Sequence, residues 1–399
     1  MKFSRWGAAW MSVGLRNLLS GAAAAVTLAS CGYCVFSIWA GLRFKRSKAT
    51  RSPSDPPVSF LKPLKGTDPG MYDALRSHCL LDYPEYEILL GVTDPDDPAI
   101  SVVQELMEEF PQGRIRLVHC TERLGVNGKV SSLAQLATLA KHEFLVVNDS
   151  DIRVSRGYLR DIVAELEQPG TGLVTCLYRG LPSATLASRL EALGISTDFS
   201  PGVLAAREIE RGLGFGLGST LALRRSDLAS IGGFESIADY LADDYEIGRR
   251  IRERGLRVTL SRNIVETFIP AYDFSQFVLH QLRWARTIRS SRPGGYAGLI
   301  MTHVLPWAVA TLVLAGPRTW CWALLAGAIL ARMAMAITMA NFVLDDANAV
   351  GSLWLLPLRD FVALIIWAAG SVGRRVVWRG ETFVLEQGRL VKIVTPGKV

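Results

Sequence analysis

Charge is scarce in this sequence, and cysteine is scarcer. Only 20% of its 399 residues are Asp, Glu, Lys or Arg, against 49% hydrophobic. A disordered chain needs the opposite balance, so disorder is excluded. Six cysteines over this length are too dilute for a disulfide scaffold. Cys79, Cys120, Cys176 and Cys321 show no metal-ligand spacing, and the five histidines are scattered. Cys31 and Cys34 form a C-x-x-C pair inside an apolar run, where cysteines one helical turn apart share a face and pack. No sign of charge dominates: 44 basic residues against 37 acidic leave +7. The basic residues cluster beside apolar stretches, so the excess does not call for nucleic acid.

What the chain has in quantity is apolar length. Mean hydropathy is +0.23, high for an aqueous enzyme. The excess lies at both ends. No charged residue occurs from Asn17 to Leu42, which exceeds the roughly 20 residues a helix needs to cross a bilayer. Tyr296–Gly316, Trp320–Leu344 and Ala347–Gly373 are three further apolar stretches. A secretory signal is the other reading of the first segment, but the run continues ten residues past Cys31, as an anchor does. Arg43, Lys45, Arg46, Lys48 and Arg51 outnumber Lys2, Arg5 and Arg16 across it, which puts the middle of the chain on the cytoplasmic side. Arg374, Arg375 and Arg379 place the tail inside too, whereas four full crossings would put it outside. The last apolar stretch, broken by Pro357 and Arg359-Asp360, also reads as a re-entrant hairpin. Arg332 falls inside an apolar stretch and needs a partner, for which Asp360 is the candidate.

The resulting division is an N-terminal anchor (1–50), an aqueous catalytic domain (51–273), an amphipathic interfacial helix (274–292), C-terminal membrane segments (293–373) and a basic tail (374–399). In the middle, Val58–Leu61, Tyr86–Val92, Ile115–His119, Phe144–Val147, Leu173–Tyr178 and Thr220–Arg224 read as strands. Val130–Ala140 and Tyr158–Glu167 have helical spacing. This alternation is α/β, with a mostly parallel sheet. Ligands then bind beyond the carboxyl ends of the strands.

Acidic residues stand at those ends. Asp94-Pro95-Asp96-Asp97 follows one strand and Asn148-Asp149-Ser150-Asp151 another. Two Asp flanking one residue can hold a hard cation such as Mg or Mn, although turns also favour Asp for their own hydrogen bonds. Asp243-Asp244 opens a helix that Gly255 closes. The pair reads either as charge placed to suit the helix dipole or as a general base. Phe274–Ile288 is amphipathic, with His280, Arg283, Trp284 and Thr287 in one stripe. It reads as a surface anchor, or as a helix that aims Arg283 at a diphosphate and Trp284 at a substrate. Gly212–Ser219 is a glycine-rich loop without the preceding strand that a dinucleotide fingerprint requires. It reads as a site of close backbone approach, with a lipid acceptor as one possible neighbour.

Taken in order, these motifs resemble the ceramide glucosyltransferase family of membrane glycosyltransferases with a GT-A (Rossmann-like) fold. The carrying segments are Val58-Ser-Phe-Leu-Lys-Pro-Leu-Lys-Gly66, Leu81-Asp-Tyr-Pro84, Asp94–Ile100, Gly125-Val-Asn-Gly-Lys129, Asn148–Val154, Ala242-Asp-Asp-Tyr245 and His280-Gln-Leu-Arg-Trp284. The resemblance implies that Asp94 contacts the nucleotide, and that Asp149 and Asp151 contact the nucleotide sugar and a divalent cation. It also implies that Lys129 lies near the nucleotide and that Asp244 is the catalytic base. Arg283 and Trp284 match the family's R-W pair, and His280 stands where Gln or Arg is usual. The segments look most similar to the bacterial branch, which implies an inner-membrane, multi-pass enzyme. The favoured reaction is transfer of N-acetylglucosamine from UDP to bacteriohopanetetrol, a hopanoid. The alternative is glucose from UDP-glucose to ceramide.

Chemically, the expectation is one inverting displacement, in which Asp244 deprotonates a lipid hydroxyl as it attacks the anomeric carbon. A transporter would need more spans than these. A nucleotide-binding regulator would bind UDP without transfer. A processive polysaccharide synthase would need a longer membrane channel.

Overall fold

The computed structural model describes residues 13–47, 54–378 and 381–392. The charges at Lys2, Arg5, Lys48, Arg51 and Arg379 lie outside them. One mixed sheet forms the centre. Its strands are β1 (Val58–Pro63), β2 (Tyr86–Val92), β3 (Ile115–His119), β4 (Phe144–Val147), β5 (Ile152–Arg153), β6 (Thr171–Pro182), β7 (Leu221–Arg224) and β8 (Arg257–Ile269), in the order β3-β2-β1-β4-β7-β6-β8-β5. β1 to β4 are mutually parallel, and so are β6 and β8. β7 and β5 run antiparallel to their neighbours, so the sheet is less uniformly parallel than the alternation suggests.

The short apolar runs become strands because both sheet faces are covered. Leu61, Leu89, Leu145 and Val147 enter one core, while Phe60, Ile88, Leu90 and Val146 enter the other. Alternate side chains thus feed opposite faces, as the pleat requires. The parallel register brings the carboxyl ends of β2, β1 and β4 out side by side.

Three helices are long and apolar enough to cross a membrane: Val13–Lys45, Thr319–Val343 and Leu353–Gly370. Pro293–Thr302 and Val304–Ala315 make a fourth only if a pair bent by 61° counts as one span. The first helix buries Ser20, Ala23, Thr27, Ser30, Cys34, Ser37 and Gly41 along one stripe. Such small residues let helices approach closely. A Cβ on Gly41 would lie 2.7 Å from the Met339 side chain. Cys34 packs in this seam, and all six cysteines are free thiols.

Arg332, 1% exposed, does pair with Asp360, at 2.7 Å. It also pairs with Asp198 at 2.6 Å, and Arg359 reaches Asp198 at 3.2 Å. Asp198 sits in a π-turn, Ile195–Phe199, so this network ties the apolar helices to the segment between β6 and β7. The stretch after residue 374 forms a small antiparallel sheet, β9 (Arg375–Trp378), β10 (Glu381–Glu386) and β11 (Arg389–Lys392).

Candidate active site

The Asp149–Asp151 turn follows β4 and is held from several sides. Asn148 is buried and donates to the Ser219 carbonyl at 2.6 Å and to the Tyr158 hydroxyl at 3.0 Å. Ser150 donates to Asp68 at 2.5 Å. Beneath the turn, the buried Lys62 of β1 donates to the Asp149 carbonyl at 3.0 Å. Burial pushes the Lys62 ammonium down to about 7, against the upward pull of Asp151 and Asp149.

Lys129 enters from the helix Gly128–Leu139, which Asn127 caps by accepting the Val130 N–H at 3.3 Å. Its Nζ lies 2.8 Å from Asp149 Oδ1 and 3.1 Å from Asp243 Oδ2. Burial opposes the charge, but Asp149 and Asp243 outweigh it and hold the ammonium above its ordinary range.

Asp244 lies in the first turn of the helix Asp243–Glu253. Its Oδ2 accepts the Gly218 N–H at 2.8 Å and its Oδ1 accepts the Tyr245 N–H at 2.8 Å. A Cβ on Gly218 would stand 3.3 Å from Asp149 Oδ2 and 3.4 Å from Asp244 Oδ2. The carboxylates of two separate motifs therefore face each other across one glycine. Burial beside Asp243 pushes Asp244 up to about 6, the range of a working general base.

The glycine-rich loop does make close backbone approaches, and they are to this helix. Gly216 N–H donates to the Asp244 carbonyl at 3.2 Å, and a Cβ on Gly248 would lie 2.2 Å from Gly216 N.

Asp151 is pushed up to about 6 by burial and by Asp149, and its Oδ2 accepts the Thr267 hydroxyl. Crowded hard oxygens of this kind suit a small divalent cation. Among the described residues no group of three or more His, Cys, Asp or Glu gathers as for an all-protein metal cage.

Asp94 stands exposed after β2 and accepts the Asp96 N–H at 3.0 Å inside its own turn. Asp94 lies two residues past the end of β2, and β1 separates β2 from β4, whose end leads into Asp149. Asp97 of the same cluster is structural: it accepts the Gly66 N–H at 2.9 Å and the Ala99 N–H at 2.9 Å.

His280, Arg283 and Trp284 project from the helix Phe274–Ser291, which a capping box of Asp273 and Gln276 starts. His280 Nδ1 lies 3.2 Å from Glu191 Oε2 and 3.1 Å from the Tyr272 hydroxyl, and its ring meets Trp284 edge-on. The Tyr272 phenol is raised by burial, Arg283 pulls it back, and it also feels Asp151. Tyr178 of β6 is raised by burial and by Asp244, Glu191, Asp151 and Asp149 together. Tyr178, Glu191 and Tyr272 thus join the site without a motif to announce them. Only Tyr178, at the end of the strand read as Leu173–Tyr178, carried a signal.

A model of glycosyl transferase family 21 matches residues 22–391. Ceramide glucosyltransferase 3 of Caenorhabditis elegans is 26% identical over 240 residues, 60% of this chain and 52% of that protein. The ceramide glucosyltransferase of Komagataella phaffii is 24% identical over 428 residues, covering 85% of this chain and 84% of that one. The chain spans about half the length of the C. elegans relatives, 52% and 46%. Among solved structures, the mannosyltransferase PcManGT of Pyrobaculum calidifontis, in complex with GDP-Man and Mn2+, superposes with TM-score 0.53 at 21% identity. That match covers 88% of this chain and 97% of that one. It is a likeness of fold, and the fold is that of a GT-A glycosyltransferase. Since the family model runs from the first apolar helix to the last strand of the small sheet, the chain belongs to glycosyl transferase family 21.

Proposed function

We propose that this hexosyltransferase moves one glucose from UDP-glucose to the primary hydroxyl of ceramide, with inversion, at the cytoplasmic face of a membrane. The observation that carries the reading is the convergence of Asp149 and Asp244 on Gly218, with Lys129 joining Asp149 to Asp243. Asp244 takes the proton of the attacking hydroxyl, and its raised affinity for protons suits that task. Asp94 and Lys129 bind the nucleotide, and Arg283 steadies the leaving diphosphate. Trp284 and His280, packed with Tyr272 and Glu191, wall the side where sugar and acceptor meet. A divalent cation held by Asp149 and Asp151 with the donor phosphates would supply neutralisation of the leaving group.

Ceramide is favoured over a hopanoid because the relatives reported above are named ceramide glucosyltransferases. The apolar helices support a lipid acceptor met at a bilayer surface, and their small number among the described residues supports a single transfer over a polymer.

The test is purified full-length protein with UDP-glucose or UDP-N-acetylglucosamine, against ceramide and bacteriohopanetetrol, read by mass spectrometry. Monoglucosylated ceramide is expected. N-acetylglucosaminyl hopanoid as the sole product would overturn the acceptor and donor assignments, and a polymer would overturn the single transfer. Chelation should stop turnover, and unchanged rates after chelation would remove the cation from the reading.

A further inference from the structure

One cavity lies outside the catalytic carboxylates. It measures about 970 Å³ and is lined by Arg286, Arg289, Arg374 and Arg389, with Glu386 the one acid among them. Among the lining residues four guanidiniums stand against one carboxylate, a surplus of +3, with Asp239 and Glu246 outside the lining also acting on Arg389. Among the described residues, none of the four arginines forms an ion pair. Arg286 donates to the Arg375 carbonyl at 2.7 Å, yet its buried Nε has no partner. Arg289 donates to the Gly373 carbonyl, and Arg389 donates to the Tyr240 hydroxyl at 3.2 Å while lying over that ring. Backbone carbonyls orient Arg286 and Arg289, and the Tyr240 hydroxyl and ring orient Arg389, without neutralising them. Like charges gathered in this way call for an anion, and the planar fork of Arg suits phosphate oxygens.

The cavity lies beside the end of a helix long and apolar enough to cross a membrane. Arg374 follows the apolar helix Leu353–Gly370 by four residues. Arg286 and Arg289 lie on the amphipathic helix Phe274–Ser291. Where such a helix crosses a bilayer its end meets the headgroups, and basic side chains there attract anionic lipid.

The cavity also touches the catalytic loop. Leu241 N–H donates to the Gly388 carbonyl at 3.2 Å, and Leu390 N–H donates to the Asp239 carbonyl at 2.7 Å. Two residues after Leu241 the helix carrying Asp243 and Asp244 begins.

We propose that this cavity binds the phosphate of an anionic phospholipid headgroup, and that occupancy steadies the 239–242 loop and raises the transfer rate. The effect on rate rests on the glycosyltransfer reading above; the binding does not.

The experiment uses the full chain in nanodiscs of phosphatidylcholine alone, or with about a third phosphatidylglycerol. Bound lipid is counted by native mass spectrometry, and transfer is measured in parallel. Wild type should retain phosphatidylglycerol and turn over several-fold faster in its presence. The Arg374→Gln/Arg389→Gln variant should lose the stimulation and retain the anionic lipid about tenfold less well, and Arg374→Gln should keep the neutral-nanodisc rate. Arg374→Gln alone serves as the check on folding, because its side chain makes no hydrogen bond or ion pair among the described residues. It should show part of the same loss.

Equal retention and equal stimulation in wild type and both variants would overturn the proposal. So would millimolar inorganic phosphate displacing the lipid and reproducing the stimulation, which would assign the cavity to a soluble anion. Absence of transfer in every nanodisc, with lipid retention lost in the variants, would overturn the glycosyltransfer reading and leave the binding site standing.

Discussion

Lys129 Nζ and Asp149 Oδ1 are 2.8 Å apart, and the same nitrogen is 3.1 Å from Asp243 Oδ2. One cation thereby fixes the distance between the turn after β4 and the helix that carries Asp244. Removing it leaves Asp149, Asp243 and Asp244 to repel one another in a partly buried space. Lys129→Met should lower kcat/KM for the donor by about 100-fold, on the scale of losing one partner of a buried charge pair. UDP affinity, measured by calorimetry, should fall as well. Unchanged donor kinetics would remove Lys129 from the site.

With Asp244 as the proposed base, the reaction should have an acid limb. Its folded pKa of about 6 means that the carboxylate is protonated, and unable to accept a proton, below that pH. The rate should therefore rise as pH increases through about 6 and level off above it. The quantity to record is kcat/KM, which reports the free enzyme. Asp244→Asn should cut kcat by about 10² to 10⁴-fold, the span attributed to general bases, and abolish the limb, with UDP binding within a factor of a few. A variant with near wild-type kcat would show that another group takes the proton.

Gly248 is a packing requirement of the same helix. A Cβ there would lie 2.2 Å from Gly216 N and 2.4 Å from the Phe215 carbonyl carbon, both backbone atoms that cannot swing aside. Gly248→Ala must push the glycine-rich loop off the helix and break the Gly218 to Asp244 hydrogen bond with it. Overpacking should cost about 1–3 kcal/mol of stability. Activity should fall further than stability accounts for, because Asp244 loses its orientation. Thermal unfolding and transfer rate on the same preparation separate the two effects.

Much of the frame was legible because it rests on local apolar runs. Tyr86–Val92, Ile115–His119 and Phe144–Val147 form strands over the expected residues. The carboxylates that follow them were legible for the same reason, since a strand end in an α/β sheet is where ligands bind. β8 was not. Arg257, Arg262, Asn263 and Glu266 interrupt its hydrophobic pattern, and it becomes a strand by pairing along most of β6. Glu266 is tolerated there because Arg153 and Arg179 flank it, at 2.5 and 2.9 Å. Glu191 and Tyr272 were hidden for a related reason. Each meets His280 directly, Glu191 from 89 residues away, and neither belongs to a motif.

The Arg332–Asp360 pair was foreseeable, since a cation in an apolar stretch must find an anion. Its second anion, Asp198, comes from 134 residues away and left no local mark. Arg332 is 1% exposed and Asp360 2%, so the pair is shielded from water. Arg332→Met strands two carboxylates, of which Arg359 can serve only part. Breaking such a pair from one side costs about 3–5 kcal/mol. The expected outcome is a large drop in the yield of monodisperse protein and in its unfolding temperature. Asp360→Asn, which leaves Asp198 in place, should cost less. Equal stability of Arg332→Met and wild type would show that the network contributes nothing to docking the apolar helices.

Glu165 gives a stability signature that is independent of catalysis. It is 8% exposed on the helix Tyr158–Leu166, and its Oε2 has no hydrogen-bond partner. Burial pushes its carboxyl from 4.5 up to about 7. The folded state therefore holds a proton that the unfolded chain releases near pH 4.5, and the sign follows from linkage. Between pH 4.5 and 7 the native state binds more protons than the unfolded one, so stability falls as pH rises and flattens above 7. Glu165→Gln removes the ionisation while keeping the shape. At pH 5 the variant and wild type should unfold at nearly the same temperature. At pH 8 the variant should be more stable by about 2–3 kcal/mol, from roughly 1.4 kcal/mol per pKa unit. A difference that does not change between pH 5 and pH 8 would mean that Glu165 is charged in the fold at both, and that its burial is compensated by a contact with the Ser261–Arg262 turn.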